Sequence, residues 1–330
     1  MAPFKSTQSF SVGHFLRTFR NRDGFGPAAL NSPVRTDRGP KLIATGGAIE
    51  TPGNGYKYHF LTANPHTFII TEQPGEISVN YIVVGGGGAG GQYPTTGNSG
   101  GGGGAGGFIT GTFPNMAVGS YPVTIAAQTA ATAGENGNSS VFNSITAYGG
   151  GGGSPTYTAA GNPGASGGGG GGAGPTAGGD ANKIQPDGTS AIPGPLSPQG
   201  QAGGIGGPND NTGYSGGGGG AGVAGEESPG TASGKGGDGL AAFSGDTGIP
   251  ASYGTTGPSP GRWFAGGGAG GPYGGTPGGF GAGGGGDVGA DPTDAVRLDA
   301  LDNTGGGGAG VSAATVGKGG SGIVILRYPD

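Results

Sequence analysis

The sequence contains no cysteine, two methionines and one tryptophan in 330 residues. Without cysteine there is no disulfide framework and no thiolate metal centre. Charge is sparse too, with Asp, Glu, Lys and Arg making up 10% of the chain. Ile, Leu, Val and Phe together reach only about 15%, below the roughly 20% at which an ordinary side-chain core becomes doubtful. No run approaches the ~18 apolar residues of a membrane-spanning helix, and the N-terminus lacks the apolar stretch of a secretory signal. Neither a membrane span nor secretion is therefore expected. Catalysis has little material. The only histidines are His14, His59 and His66, the last two best read as surface or strand-edge residues, and no paired carboxylates stand out as an acid–base couple. We expect no catalytic, cofactor-binding or metal-binding residues and no enzyme activity.

What the chain has instead is glycine, 92 residues of it, with 26 prolines. A helical bundle is excluded, since each interior glycine costs about 1 kcal/mol relative to alanine. Collagen is excluded because pure glycine runs break a strict three-residue repeat. The glycines are also unevenly placed: residues 1–84 hold 9 and residues 85–322 hold 83, while 323–330 hold none. They cluster at 85–91, 100–107, 149–153, 167–174, 216–222, 266–271, 278–286 and 305–310. G-x-G-x-x-G occurs often in such a composition, but never in a strand-to-helix unit that would bind a dinucleotide.

Strand patterns flank this glycine-rich body. Tyr56 to Leu61 and Thr67 to Thr71 read as strands separated by an Asn64-Pro65 turn. Glu76 to Val84 alternates, with Ile77, Val79, Tyr81 and Val83 on one face. Phe108 to Phe113, Tyr121 to Ala126, Ser140 to Phe142, Ile145 to Tyr148 and Gly322 to Tyr328 follow. The last should return beside Ile77 to Val84, so that one small sheet closes the body at both ends. Glycine runs in a polyproline-II conformation have three residues per turn and no internal hydrogen bonds. Lacking Cβ atoms, several can pack closely and bond to one another. The expected fold is mainly β with irregular structure: a small sheet or sandwich enclosing a bundle of polyglycine rods. In such a bundle Ala89, Ala105 and Ala173 should face outward or lie at the edge.

A third unit is the N-terminal arm. Residues 1–41 carry a net charge of +5, against −10 for the remainder. Val12, Phe15, Leu16 and Phe19 share one face of a short helix. Phe4, Lys5, Phe10, Arg17 and Arg20 add the aromatic and Arg character typical of protein interfaces, so docking to a protein is favoured over nucleic-acid binding. The domains expected are therefore 1–50, a docking arm, and 51–330, a glycine-rich β domain with strands at about 56–148 and 322–328 and a rod body at about 85–321. The segments 154–166, 175–215, 223–265 and 287–304 should be exposed loops. Among them, Tyr253, Arg262, Trp263, Phe264 and the nearby Tyr273 form an aromatic group that either caps the bundle or faces a receptor.

Tyr56-Lys57-Tyr58-His59-Phe60-Leu61-Thr62, Val79-Asn80-Tyr81-Ile82-Val83-Val84 with the following glycines, Tyr121-Pro122-Val123-Thr124-Ile125, and Gly322-Ile323-Val324-Ile325-Leu326-Arg327-Tyr328 carry a resemblance. Together they resemble the glycine-rich domain of bacteriophage virion proteins, especially those of marine and cyanobacterial phages. The resemblance implies a non-enzymatic virion protein, such as a tail fibre or tip. Residues 1–50 would dock onto other virion proteins, and the loops would bind a host-surface glycan or protein. It equally allows a capsid or neck decoration protein with no receptor role. An ice-binding protein is a more remote alternative. Nothing in the sequence demands a homo-oligomer, and nothing excludes one.

Overall fold

The computed structural model describes residues 41–64, 66–93, 99–156, 158–185, 188–207, 213–272, 278–287, 298–312 and 315–330. They belong to one unit, Lys41–Asp330. The predicted helical arm, with Phe4, Lys5, Phe10, Val12, Phe15, Leu16, Arg17, Phe19 and Arg20, lies outside the described residues.

The strands are β1 (Ile43–Thr45), β2 (Ala48–Glu50), β3 (Tyr56–Leu61), β4 (His66–Glu72), β5 (Val79–Val84), β6 (Gln92–Tyr93), β7 (Phe108–Phe113), β8 (Gly119–Thr124), β9 (Ser140–Phe142), β10 (Ile145–Ala147), β11 (Leu240–Ala241), β12 (Trp263–Phe264), β13 (Val311–Ser312) and β14 (Ile323–Pro329). Two five-stranded antiparallel sheets dominate, ordered β1-β4-β8-β9-β10 and β2-β3-β14-β5-β7. As expected, β14 returns beside β5, with Ile323 opposite Val84 and Leu326 opposite Tyr81. The 42–50 segment does not belong with the arm. Its two short strands lie at one edge of each sheet, β1 on β4 and β2 on β3.

Strand alternation explains the layering. Val79, Tyr81 and Val83 of β5 and Val324, Leu326 and Tyr328 of β14 face the first sheet, where they pack with Phe68, Ile70, Val123 and Phe142. The intervening Ile82, Val84, Ile323 and Ile325, with Tyr58 and Phe60 of β3, face the other way. There they meet Ala105, Ala221, Ile249, Phe264 and Ala265 from the glycine-rich body. The second sheet is therefore a middle layer covered on both faces, which is what the unbroken apolar run Ile82-Val83-Val84 requires. His59 belongs to this layer as well. The expectation of a surface or strand-edge histidine fails, because its ring is fully buried and lies edge-on to Phe68 at 5.1 Å.

The glycine runs form hydrogen-bonded rods with a repeat of three. In 85–91, the N–H groups of Gly85, Gly88 and Gly91 donate to Gly107, Gly104 and Gly101. Those of Gly86 and Ala89 donate to Asn138 and Glu135, and those of Gly87 and Gly90 to Gly320 and Gly317. Each neighbour is met every third residue, as the polyproline-II screw dictates. The run 100–107 lies at the centre. It donates to 148–151, 216–219 and 305–311, and it accepts from 85–91, 166–169 and 268–271. This is hexagonal packing of rods held by backbone bonds, such as Gly103 N to Gly308 O at 2.7 Å.

Such packing leaves no room for side chains. A Cβ on Gly90 would lie 1.8 Å from the Ala309 carbonyl oxygen, and one on Gly87 would lie 1.9 Å from that of Gly306. The hydrogen that occupies this direction is aimed at the carbonyl, a weak Cα–H···O contact. Two expectations need correction here. Ala89 and Ala105 are fully buried rather than outward: their methyls fill the few openings in the lattice, and that of Ala105 packs into the apolar layer against the second sheet. In addition, much of the sequence expected to form exposed loops is lattice. Residues 176–179, 201–204, 223–226 and 234–237 all pair with glycine rods at the same three-residue repeat.

Substituting a lattice glycine should therefore act through overpacking. We expect Gly90→Ala to lower stability by about 1–3 kcal/mol or more. Gly75→Ala, where no atom lies within 4 Å of the new Cβ, should be neutral or gain up to about 1 kcal/mol by restricting the unfolded chain. Thermal unfolding of the two variants checks this.

Candidate functional site

The rods have two distinct ends. At one end they run directly into the sandwich. Val84 leads into Gly85, Gly107 into Phe108 and Gly322 into Ile323, and cross-bonds such as Gly107 N to Tyr148 O and Gly322 N to Ala126 O tie these junctions together. At the other end Gly91 bonds Gly101, Val311 bonds Gly91, Gly271 bonds Gly100 and Gly172 bonds Ser99. One set of rod-to-rod connections lies here, and the other set, including 240–264, lies at the sandwich end. We call the end away from the sandwich the distal end. As expected, the strands that bound the body in sequence, β5 and β14, pair in one sheet, and both sheets lie at the end opposite the distal one.

Serines secure the distal end. Ser215 Oγ donates to the Gly100 and Gly271 carbonyls at 2.7 and 2.9 Å, and Ser233 Oγ donates to Gly271 O at 2.7 Å. Ser99 Oγ donates to Gly213 O. All three serines are buried. A hydroxyl can serve a carbonyl whose rod neighbour has ended, so serine replaces glycine where the lattice stops. The signal was present in the sequence, as Ser-Gly steps at the start of the runs, but nothing there distinguished these serines from linker serines. Side chains shown at this end are mostly uncharged, among them Pro155, Thr156, Pro175 and Pro229, which are exposed, and Tyr93 and Tyr214, which are half-buried.

The aromatic group expected to cap the bundle or face a receptor sits at the opposite end, against the sandwich. Phe264 is fully buried beneath the second sheet and cannot face outward. Tyr253 stacks on Phe60 with ring centroids 3.9 Å apart and planes 3° from parallel. Arg262 donates to the carbonyls of Tyr253 at 2.7 Å and Ala251 at 2.9 Å, and to that of Gly254. Its guanidinium thus holds the turn carrying Tyr253. Half-buried Trp263 donates from Nε1 to Ser259 O at 2.9 Å. In the described structure these four residues cap the rods. Tyr273 lies outside the described residues.

A polar cluster beside this cap was not anticipated. Arg327, on the rod-facing side of β14, pairs with Asp246. Its guanidinium lies between the rings of Phe243, at 4.0 Å, and Tyr56, at 4.4 Å. Tyr58 donates to Asp246, which also accepts from the Gly248 N–H at 2.8 Å and from Asn54 at 3.2 Å. Burial opposes ionisation of Asp246. The bonds from Tyr58 and Gly248 and the Arg327 charge outweigh it and hold the carboxyl below its ordinary value. To reach this position, Phe243 and Ser244 adopt left-handed backbone angles, φ 44° and 58°. The sequence signal was a single arginine ending an otherwise apolar strand, with its partner 81 residues away.

A second buried group lies between the sheets. His59 Nδ1 donates to Gly46 O at 2.8 Å, and Nε2 accepts from the Tyr328 hydroxyl at 2.9 Å. Burial keeps this ring neutral and its pKa lowered, and burial pushes the Tyr328 hydroxyl up to about 12. Among the described residues no group of three His, Asp or Glu is placed to hold a metal ion, and no helix is long and apolar enough to cross a membrane.

Residues 62–329 match the family of glycine-rich domains. The chain belongs to that family. A search of curated proteins found no match.

The two buried groups set a pH window. The unfolded chain protonates His59 near pH 6.5, whereas the folded chain resists this, so stability is complete above about 6.5 and falls as the pH drops below it. Tyr58, Tyr81, Tyr253 and Tyr328 are raised mainly by burial, so their contribution is complete below about pH 10 and is lost above it. A melting temperature flat between these limits and declining on both sides is expected. His59→Gln should flatten the decline that begins near 6.5, while the Asp246 contribution is lost only below about pH 4.

Proposed function

We propose that this chain is a non-enzymatic structural protein of a bacteriophage virion. In this reading the N-terminal arm docks onto another virion protein, and the glycine-rich domain projects its distal connections toward the host surface. The observation that carries the reading is the division of labour along the rods. Every rod is held by its own backbone, which leaves little side-chain chemistry along its length. One set of rod-to-rod connections then lies at the end away from the sandwich, where Pro155, Thr156, Pro175 and Pro229 are exposed and Tyr93 and Tyr214 half-buried. Loops on a rigid scaffold are where recognition usually resides, and uncharged polar and aromatic side chains suit glycans or protein loops. The sandwich end fits attachment. Lys41, the first residue of the domain, is ion-paired there with Asp330 at 3.6 Å.

The resemblance of the strand segments to phage virion domains supports the same reading, in which the protein is part of the particle after assembly in the host cytoplasm. Fibre tip and capsid or neck decoration differ in position and in binding. Purified protein carrying a fluorescent label should bind host cells and slow phage adsorption, and antibody against the domain should label the tail tip in electron micrographs. Labelling of the capsid surface, with no cell binding, would favour the decoration role and overturn the receptor role.

A further inference from the structure

The second sheet ends on one side at β7. Its sequence Phe108-Ile109-Thr110-Gly111-Thr112-Phe113 contains no proline and no charge. The other outer strands of the two sheets are each three residues long, and β2 ends in exposed Glu50. Native sheets commonly protect a long edge with Pro, Lys or a covering segment. Among the described residues β7 has none of these along 109–113, and Thr110 and Thr112 are exposed.

The direction of its backbone groups follows from one bond. Phe108 N–H donates away from β5, to Gln199 O at 3.1 Å. In an antiparallel ladder alternate residues point both N–H and C=O to the same side. Thr110 and Thr112 therefore direct their backbone groups outward, and among the described residues neither makes a backbone bond on that side.

We propose that β7 pairs antiparallel with β7 of a second copy of this chain, joining the two second sheets across a two-fold axis at Gly111. The partial charges are self-complementary in this register. Thr110 meets Thr112 of the other copy, and the two residues exchange both N–H···O bonds. The same occurs at the symmetry-related pair, so each outward donor finds an acceptor. Side chains match as well. Ile109 meets Phe113 of the other copy on the face toward the first sheet, where both residues are only partly buried against the core. Thr110 and Thr112 meet on the opposite face, a favourable cross-strand pair. With no charge in the strand, nothing repels.

The test uses the purified full chain. Sedimentation equilibrium should give twice the chain mass of 30.9 kDa. Thr112→Pro removes an N–H that β5 does not use and places a ring on the pairing edge. It should return the mass to that of one chain, with the melting temperature and circular dichroism of a folded protein. If that variant unfolds, Thr110→Lys gives the same reading with the backbone intact. A double variant, Thr110→Cys with Thr112→Cys, in this cysteine-free chain should oxidise to a covalent dimer at low micromolar concentration. A wild-type monomer at all concentrations, a dimer that survives Thr112→Pro, or failure of the double variant to cross-link would each overturn the pairing. So would a monomer whose β7 edge instead captures a strand of another protein.

Discussion

Every level of this structure depends on the distance at which two polyglycine rods bond to each other. An N–H from one rod reaches a carbonyl of the next only if nothing larger than hydrogen stands on the intervening Cα atoms. Each bond contributes only about 0.5–1.5 kcal/mol net, and ordering a glycine costs more than ordering any other residue. One rod therefore gains too little to stand alone. The run 100–107 is ordered because it has hydrogen-bonding neighbours all around it, and each neighbour is in turn shared. Cooperativity of this kind replaces the side-chain core that the composition cannot supply. It also explains why lattice positions admit alanine only at openings such as Ala89 and Ala105, and serine where a rod ends.

A lattice built from backbone still needs a boundary that fixes its register, because a glycine rod slipped by one turn looks the same to its neighbours. The sandwich provides that boundary. Its strands continue directly into rods, so the pairing of β14 between β3 and β5 sets where Gly322 and Gly85 begin. Two polar groups then make this pairing specific. Arg327 with Asp246 ties β14 to the cap over the rods, and His59 bridges Gly46 and Tyr328 between the sheets. His59 is buried and the Arg327–Asp246 pair is only slightly exposed, so a shifted strand would leave an unpaired charge or an unsatisfied ring nitrogen where solvent reaches little. The left-handed backbone at Phe243 and Ser244 is tolerated because it delivers Asp246 to Arg327.

Most of the sandwich could be read from the sequence because its strands carry side-chain patterns. The alternation of Ile77, Val79, Tyr81 and Val83 reported a buried face, and the apolar run Ile323 to Leu326 reported a central strand. The rods were legible as a class, from the recurrence of nearly pure glycine runs, but not in their pairing. A glycine has no side chain to record which neighbour it meets, so the hexagonal order around 100–107 left no trace. For the same reason segments such as 223–226 were expected to be loops. They join the lattice through backbone alone, with Val223 and Glu226 pointing outward. The aromatic group was legible only as an alternative. Composition allowed Trp263 and Phe264 either to cap the rods or to form a recognition surface, and only the fold shows that their rod begins at the sandwich, where they cap it.

The same physics separates the parts of the molecule that can vary from those that cannot. Within the rods, a change of residue type meets a neighbouring carbonyl at about 2 Å, so those positions hold no freedom for recognising a partner. Along the sandwich, alternation and the two buried polar groups constrain both faces of the middle sheet. What remains among the described residues is the edge of β7, where directed backbone groups can recognise another strand, and the distal connections, where Pro155, Thr156, Pro175 and Pro229 are exposed. Among the described residues, the surfaces left free for recognition by the domain are therefore a sheet edge and the loops at the rod ends. The two surfaces demand different partners, since an edge selects an extended backbone and the loops select a shape and a pattern of polar groups.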